Sequence, residues 1–481
     1  MDQQSSTKLK IGKNAFILAF SILLLLMIIC GTLTLVIEPG QYDRASIEGR
    51  EVVVQGSFQY VDPPDYPVWR WFTAPFEVLA APGNITVITI VLFLIFVSGA
   101  FTILDEGGVL KALLDQIVHR FRKRKYLLMA VIIFVFMFLA AFLGIYESLV
   151  PLIVFIVPLA HLLGWDSMTG LGMSLLPLAF GFSAAVSNPF TIGVAQKIAE
   201  LPLFSGAWLR IIFFILVYCI VLIFVRRYAK RVEKNPEKSL VFKEDQKIHF
   251  DEGEKPEQLK PELKRALICF AVCMAAALAF VFITVGIPAL SDYAFPLMAF
   301  LFLIGGVGAG FFAGMGGRGV GRSFGRGTLN MLPAVLLILM ALSVKHIVDS
   351  GRITDTILYT ASTFIQQTSG YAAGFFVYLV TLVMNFFIGS ASAKAFLMMP
   401  ILTPLADIVG ITRQTAVLAF DFGDGFSNML YPSNALLLIG LGFTVVSYPK
   451  WIRWTIKLQG IVFALSMAFL FFAVAINFGP F

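Results

Sequence analysis

Glu147 and Lys394 each stand inside long apolar stretches of this 481-residue chain. A charge at membrane depth is expensive and needs a partner, so such residues are candidates for function. Glu147 could hold an ammonium group, a proton or Na⁺, with Ser148 beside it. It could equally cap the backbone N–H groups of the segment that follows. Lys394 could hold a substrate carboxylate, occupy a cation position, or pair internally with Glu147 or Asp421. Its stem could also run along apolar surface to water. Asp421 and Asp424 are further candidates for a cation or a substrate. Three Ser-Asn pairs, Ser187-Asn188, Ser427-Asn428 and Ser433-Asn434, offer hydroxyl and amide oxygens suited to Na⁺ or a zwitterion. The same groups could instead satisfy backbone left open by a broken helix. The coupling-ion candidates are therefore Glu147, Asn188, Asp421, Asp424 and Asn428. Tyr146 and Tyr431 could close over a ligand or simply pack.

Hydrolytic and metal chemistry find little support. No HExxH or GxSxG motif occurs, and Cys30, Cys219, Cys269 and Cys273 lie in apolar runs without a CxxC pair. The four histidines are scattered. No enzyme, cofactor or transition-metal site is expected. The glycine-rich stretch Gly316 to Gly327 lacks the preceding strand of a nucleotide loop and reads as a short basic loop. An intramembrane enzyme and a passive channel are the weaker alternatives to a carrier.

The elements that must position these residues are membrane spans. The chain is 58% hydrophobic and 14% charged, with mean hydropathy +0.87. Soluble domains run nearer 45–50% apolar and about 25% charged. Apolar runs of about 20 residues, the length that crosses a bilayer, recur from end to end. The clear ones are Ala15 to Val36, Ile85 to Leu104, Trp208 to Val225, Ala266 to Val285, Ala294 to Ala313, Leu329 to Val344 and Leu458 to Phe478. The net charge of +7 comes from basic residues in loops, so a nucleic-acid partner is not expected. Placing the N-terminus, residues 105–125, the 226–265 linker and the 314–328 and 447–457 loops in the cytoplasm gives 27 basic residues there against 5 opposite. That asymmetry puts the N-terminus inside, the acidic 38–84 loop outside and the C-terminus outside; the expected location is the plasma (inner) membrane of a prokaryote.

Two apolar regions, Lys125 to Glu200 and Gly370 to Leu441, are interrupted by Gly, Pro, Ser and Asn at matching places. LDEGGVLKALL from Leu104 matches VDSGRITDTIL from Val348 at an offset of 244. VPLAHLLGW from Val157 matches TPLADIVGI from Thr403 at 246. LAFGFSAAVSNP from Leu178 matches LAFDFGDGFSNM from Leu418 at 240, which pairs Ser187-Asn188 with Ser427-Asn428. Non-helical backbone at membrane depth is tolerated only where protein or a wet cavity meets it. The expected fold is an all-α polytopic membrane protein with about nine full spans. It contains an inverted repeat of two re-entrant hairpins (126–163 and 371–409) and two broken helices (167–200 and 413–446). Residues 1–104 form first scaffold helices, 105–225 the first core, 226–265 a solvated linker, 266–345 further scaffold and 346–481 the second core.

Three stretches, IYESLVPLIVFIVPLAHLLGWDSMTGL, GFSAAVSNPFTIGVAQKIAELPLFSG and NFFIGSASAKAFLMMPILTPLADIVGITRQTAVLAFDFGDGFSNMLYPSN, resemble the YfcC/DcuC family of the ion transporter superfamily, YfcC-like members most closely. That resemblance implies a carrier of C4-dicarboxylates or basic amino acids. It also implies a homodimer with a fixed scaffold and a moving transport part. The expected partners are a small-molecule substrate, the lipid bilayer, and a coupling H⁺ or Na⁺ or a counter-substrate. YfcC-like chains tend to carry two acids at the first tip, where Tyr146 precedes Glu147 here. They usually have a small or amide residue where this chain has Lys394.

The charge asymmetry yields a topological test. A single cysteine at Gly56 should label from outside intact cells with an impermeant reagent, and one in the 226–265 linker should not. Equal labelling of both would overturn the orientation.

Overall fold

The helices are set by long apolar runs whose ends coincide with glycine, proline or charge. The computed structural model describes residues 13–479 apart from 48–49, 82–83, 247–259, 288–289 and 369. Helix α1 (Lys13–Val36) leads into a polar segment with four short strands, β1 (Gly40–Gln41), β2 (Arg44–Ile47), β3 (Arg50–Val53) and β4 (Gln59–Tyr60). They form two antiparallel ladders, β1 with β4 and β2 with β3. The expected 38–84 loop is thus a small folded cap, followed by α2 (Arg70–Glu77). Then come α3 (Ile85–Glu106), the amphipathic α4 (Val109–Phe121), α5 (Lys125–Leu143), α6 (Ile153–Leu162), α7 (Ser167–Ser183), α8 (Val194–Ile198) and α9 (Ala207–Lys234). A one-turn helix α10 (Phe242–Asp245) precedes α11 (Pro261–Gly286), α12 (Ser291–Phe312) and α13 (Gly316–Ser350). The chain closes with α14 (Thr354–Gln366), α15 (Gly370–Phe387), α16 (Ala391–Val409), α17 (Arg413–Gly425), α18 (Ala435–Gly442) and α19 (Tyr448–Ala475).

Nine helical stretches among the described residues are long and apolar enough to cross a membrane. The set differs from the expected spans. It includes α5 (joined to α4), α15 and α16, whereas the apolar stretch Pro296–Phe312 of α12 is shorter. Helices α3, α12 and α13 pack on one another, with α11 on α12 and α1 on α13. Helices α5, α6 and α9 pack around α7, while α15, α16 and α19 pack around α17. Large apolar side chains face outward along most of these helices, among them Ile17, Leu25, Ile212, Phe311 and Ile461. That exposure suits a lipid surface and would be an aggregation hazard in water.

Two expectations about polar segments give way. The Gly316 to Gly327 stretch is not a loop but the first three turns of α13. Its glycines lower helix propensity, yet Gly327 needs no side chain because its backbone lies against α3. A Cβ there would sit 2.4 Å from the Ser98 carbonyl oxygen. Ser98 Oγ donates to the Gly327 carbonyl at 2.8 Å, and Arg326 pairs with Glu106 at 2.5 Å. Tertiary contact overrides propensity.

The start of the linker is also more ordered than a solvated run. Helix α9 continues through Arg226 to Lys234, and residues 236–246 fold back onto the start of α7. Asp166, the N-cap of α7, accepts from Thr169 N–H, Tyr228 Oη and Ser239 Oγ. Asp245 accepts from the N–H and hydroxyl of Ser167 at 3.0 and 2.6 Å. Glu244 pairs with Lys450 at the start of α19.

Burial pushes the Asp245 carboxyl up to about 7, against the opposing pull of the Ser167 donors. Asp166 and Glu244 push it the same way as burial, and His161 Nε2 lies 3.6 Å from it. A carboxyl whose pKa is raised on docking stabilises the docked form most below its ordinary value. That contribution is lost as pH rises through about 7. Amide protection in residues 239–246, corrected for intrinsic exchange, should therefore fall between about pH 4 and 7 and level off above that. Asp245→Asn should flatten the profile, and a pH-independent wild type would count against the docking argument.

Candidate functional site

The site is built where α7 and α17 end. Helix α7 stops at Ser183 because the chain turns out of the helix at Ala184. The released N–H groups of Val186 and Ser187 both reach the Ala141 carbonyl at the end of α5. Ser187 Oγ donates to Phe142 O at 3.0 Å, and Asn188 Oδ1 accepts from Phe190 N–H at 2.9 Å, capping the helical turns that lead into α8. Gly144 makes this approach possible. Its φ of +69° ends α5, and a Cβ would lie 2.4 Å from Asn188 Oδ1.

The second break follows a related plan. Helix α17 passes into a 3-10 turn, Phe426–Met429, and Asn434 Oδ1 caps α18 through the N–H groups of Leu436 and Leu437. Ser433 Oγ donates to Phe386 O at 2.8 Å. This pair of contacts matches Ser187 and Asn188, at a separation of 246 rather than 240. The register from sequence is therefore corrected. Ser187-Asn188 corresponds by its contacts to Ser433-Asn434, and Ser427-Asn428 has no such counterpart. Its job is different: Asn385 Nδ2 donates to Ser427 Oγ and to Asn428 Oδ1, and Asn434 Nδ2 donates to the same Asn428 oxygen.

Lys394 closes this network. Its side chain is fully buried, and its ammonium donates to Asn385 Oδ1 and to Asp424 Oδ1. The internal pairing expected with Glu147 or Asp421 is thus made with Asp424. Helix geometry explains the choice. Asp421 and Asp424 lie three residues apart on α17 and share a face, and Lys394 in the first turn of α16 reaches the later of the two.

Asp421 is buried, and neither carboxylate oxygen has a well-aligned donor among the described residues. The Arg210 guanidinium, Thr191 Oγ1 and the Ala185 N–H surround it. Thr191 Oγ1, Ser183 Oγ and Asp424 Oδ2 are likewise buried without hydrogen-bond partners. Ser183 lies against Gly425, where a Cβ would sit 2.3 Å from its hydroxyl oxygen, so the two helix ends touch here. Oxygens from both breaks therefore converge on one buried place. Such an oxygen set could take a proton or a hard cation of the Na⁺ type, whereas no His/Cys/Asp/Glu group suited to a transition metal occurs among the described residues.

Arg210 is a member that sequence reading left aside as a basic residue beside an apolar segment. Its Nε and Nη2 donate to Val186 O, and further bonds reach Phe204 O and Ser205 O. Asn385 was missed too. Both were detectable as polar interruptions of apolar helix.

Glu147 lies elsewhere. It is exposed at the tip between α5 and α6, at the start of a 3-10 turn Glu147–Leu152 that buries Ser148. Tyr146 is buried beside it, packs on Phe182 and lies within electrostatic reach of both Glu147 and Asp424. Tyr431 is committed to Leu382 O at 2.9 Å.

Sequence comparison gives the family. The DcuC family, described as C4-dicarboxylate anaerobic carrier, matches residues 16–475. This chain belongs to the DcuC family. YfcC of Escherichia coli (strain K12), named as a candidate basic amino acid antiporter, is 30% identical over 475 residues, covering 92% of this chain and 94% of YfcC. Among solved structures, the YdaH transporter of Alcanivorax borkumensis covers 97% of this chain and 100% of its own at 16% identity and a TM-score of 0.44. MtrF of Neisseria gonorrhoeae, from a class of antimetabolite efflux pumps, covers 95% of this chain and 94% of its own at 16% identity and 0.41. The DcuC-family chain is a multi-pass membrane protein of a transporter family.

The pair at its centre can be tested apart from transport. Removing one partner of a buried ion pair costs about 3–5 kcal/mol, because the other charge stays behind. Asp424→Asn and Lys394→Gln should each lower the melting temperature in detergent by several degrees. Lys394→Met with Asp424→Leu should recover most of the loss while transport stays abolished. Singles as stable as wild type would mean that the pair is not held in this form.

Proposed function

We propose that this DcuC-family protein is a secondary active transporter or exchanger of small organic solutes, with amino acids, basic ones included, as first substrates. The carrying observation is the convergence of Asp421, Asp424, Lys394 and Arg210 at the two helix breaks. Four buried charges that sum to zero leave the site poised for exchange. A proton, Na⁺ or cationic group arriving at the carboxylates changes the balance, and a carboxylate arriving at Lys394 changes it the other way. The starts of α8 and α18 add positive dipole ends that favour a carboxylate, although Asn188 and Asn434 already take the N–H groups of Phe190, Leu436 and Leu437. Between the coupling ions, the proton is placed first, because it needs a single carboxylate oxygen of Asp421, whereas a hard metal cation needs a shell of oxygens around it. Glu147 is assigned to meet the cationic group of a ligand at the first tip, with Tyr146 between it and Asp424. The name of the relative YfcC agrees with a basic amino acid and with antiport.

C4-dicarboxylate transport is the second reading. It draws on the family description and on the presence of two buried cations, Lys394 and Arg210, at one site.

Movement is assigned to the two hairpins with their broken helices, sliding as an elevator against α1, α3 and α11–α13 in a homodimer in the inner membrane. The two breaks then travel together and expose the site to each side in turn.

In proteoliposomes, Asp421→Asn should abolish uptake driven by an imposed pH gradient, by at least about tenfold, while counterflow exchange of a bound solute survives. Glu147→Gln should raise KM for cationic solutes more than for dicarboxylates. Wild-type gradient-driven uptake by Asp421→Asn would remove the coupling role.

A further inference from the structure

A cavity of about 710 Å³ lies beside the tip that joins α15 to α16, outside the buried network. Its volume falls in the range of small-molecule sites. Four parts of the chain wall it: the strand cap after α1, the end of α13, the start of α14 and the first turn of α16. Nothing in the transport site uses it.

The charges around it do not cancel. Asp355 is buried and already taken, receiving Arg44 Nη2 at 3.1 and 2.9 Å and the Tyr42 N–H at 3.0 Å. Lys345 and Asp349 are 3.9 Å apart and about half exposed, 49% and 47%, so their attraction is weak and screened. Arg352 is exposed and has no ion pair among the described residues. Three cations thus face two acids, and the surplus charge sits on Arg352 with Lys345 near it.

Arg352 is also held in an uncommon conformation. Its φ is +54°, a left-handed value that costs a non-glycine residue free energy. Both of its peptide groups are pinned, since its N–H donates to Asp349 O at 3.1 Å and its carbonyl accepts from Gly40 N–H at 3.0 Å. The strained residue is fixed between the end of α13 and the strand cap, and it lines the cavity.

Across the cavity, Ser392 and Ala393 belong to the first turn of α16. The positive end of that 19-residue helix adds to the surplus. The next residue, Lys394, is turned inward onto Asp424. The same first turn of α16 therefore meets the cavity with Ser392 and Ala393 and the buried network with Lys394.

We propose that this cavity is a capture site for carboxylate-bearing small solutes, held by Arg352 and Lys345 before they pass the second tip. The proposal rests on the transporter reading above. Its chemistry is that of an exposed guanidinium and ammonium with helix N–H groups opposite, which suits the carboxylate of an amino acid or of a dicarboxylate.

The test reads the cavity directly, without transport. In purified protein whose four native cysteines are replaced by alanine, Ala393→Cys is labelled with an anionic and a cationic methanethiosulfonate reagent. Each rate is normalised to that with a free thiol. The anionic reagent should react about tenfold faster, as expected for a focused positive potential. Arg352→Gln with Lys345→Gln should bring the ratio to about one. Succinate and L-lysine, added separately at millimolar concentration, serve as solute probes. At least one should slow labelling severalfold, and that protection should vanish in the Arg352→Gln, Lys345→Gln variant. A ratio that the two substitutions leave unchanged overturns the proposal, and so does a charge preference without protection by either solute. Ser392→Cys gives the same readout if Ala393→Cys does not insert. Protection that persists while gradient-driven uptake fails would separate this site from the transport reading, which would then be the part at fault.

Discussion

Every peptide group released by the two helix breaks must find a partner where water is scarce, and the architecture of the site follows from that requirement. An unsatisfied group in such surroundings costs several kcal/mol. The end of α5 answers the first break, with the carbonyls of Ala141 and Phe142 taking up Val186, Ser187 and the Ser187 hydroxyl. The end of α15 and the first turns of α19 answer the second: Phe386 O takes Ser433, Trp451 Nε1 donates to Met429 O, and Gln459 Nε2 donates to Phe426 O. The paired arms next to each break are therefore structural necessities before they are anything else. A break without its neighbouring arm would leave these donors and acceptors empty.

Chemistry is layered onto that backbone solution. The first break is held by carbonyl acceptors and by Arg210, a cation that spends its donors on Val186, Phe204 and Ser205. The second is held by amides and by an ion pair, Asn385, Asn428, Asn434 and Lys394 with Asp424. The breaks are alike in plan and unlike in charge. Asp421 and its neighbours Ser183 and Thr191 sit on the seam between the two, so a change of charge there is felt by both halves at once.

The sequence made the breaks legible because Gly, Ser, Asn and Pro in an apolar run have few other uses. It also marked Lys394, Asp421 and Asp424 as out of place in lipid. It could not choose the partner of Lys394, since that depends on which turn of α17 meets the first turn of α16. The pairing of Ser187-Asn188 with Ser427-Asn428 looked sound by letters alone. Capping geometry decides for Ser433-Asn434, because a cap must precede the next helix and the 3-10 turn Phe426–Met429 intervenes. The glycine-rich start of α13 misled for a related reason. Low propensity suggests a loop, while close packing on Ser98 needs one of those glycines, Gly327, within a helix. Family resemblance added the class of protein, and side-chain spacing alone would not have separated amino acids from dicarboxylates.

Helix α13 runs for 35 residues from its glycine-rich foot to the Lys345 and Asp349 wall beside the second tip. At 1.5 Å per residue it is a rod of about 52 Å, well beyond the roughly 30 Å of a bilayer's hydrocarbon. Pro333 removes one internal bond near its middle and concentrates any bending there. A straight rod of that length is a lever arm: a pivot of roughly 5° about one end would carry the other by about 4.5 Å at helical rise. The foot and the cavity wall are the two ends of this one helix, coupled to the extent that the turn at Pro333 stays straight. Whatever acts on the basic foot is thereby linked, through one continuous helix, to the cavity wall at its other end.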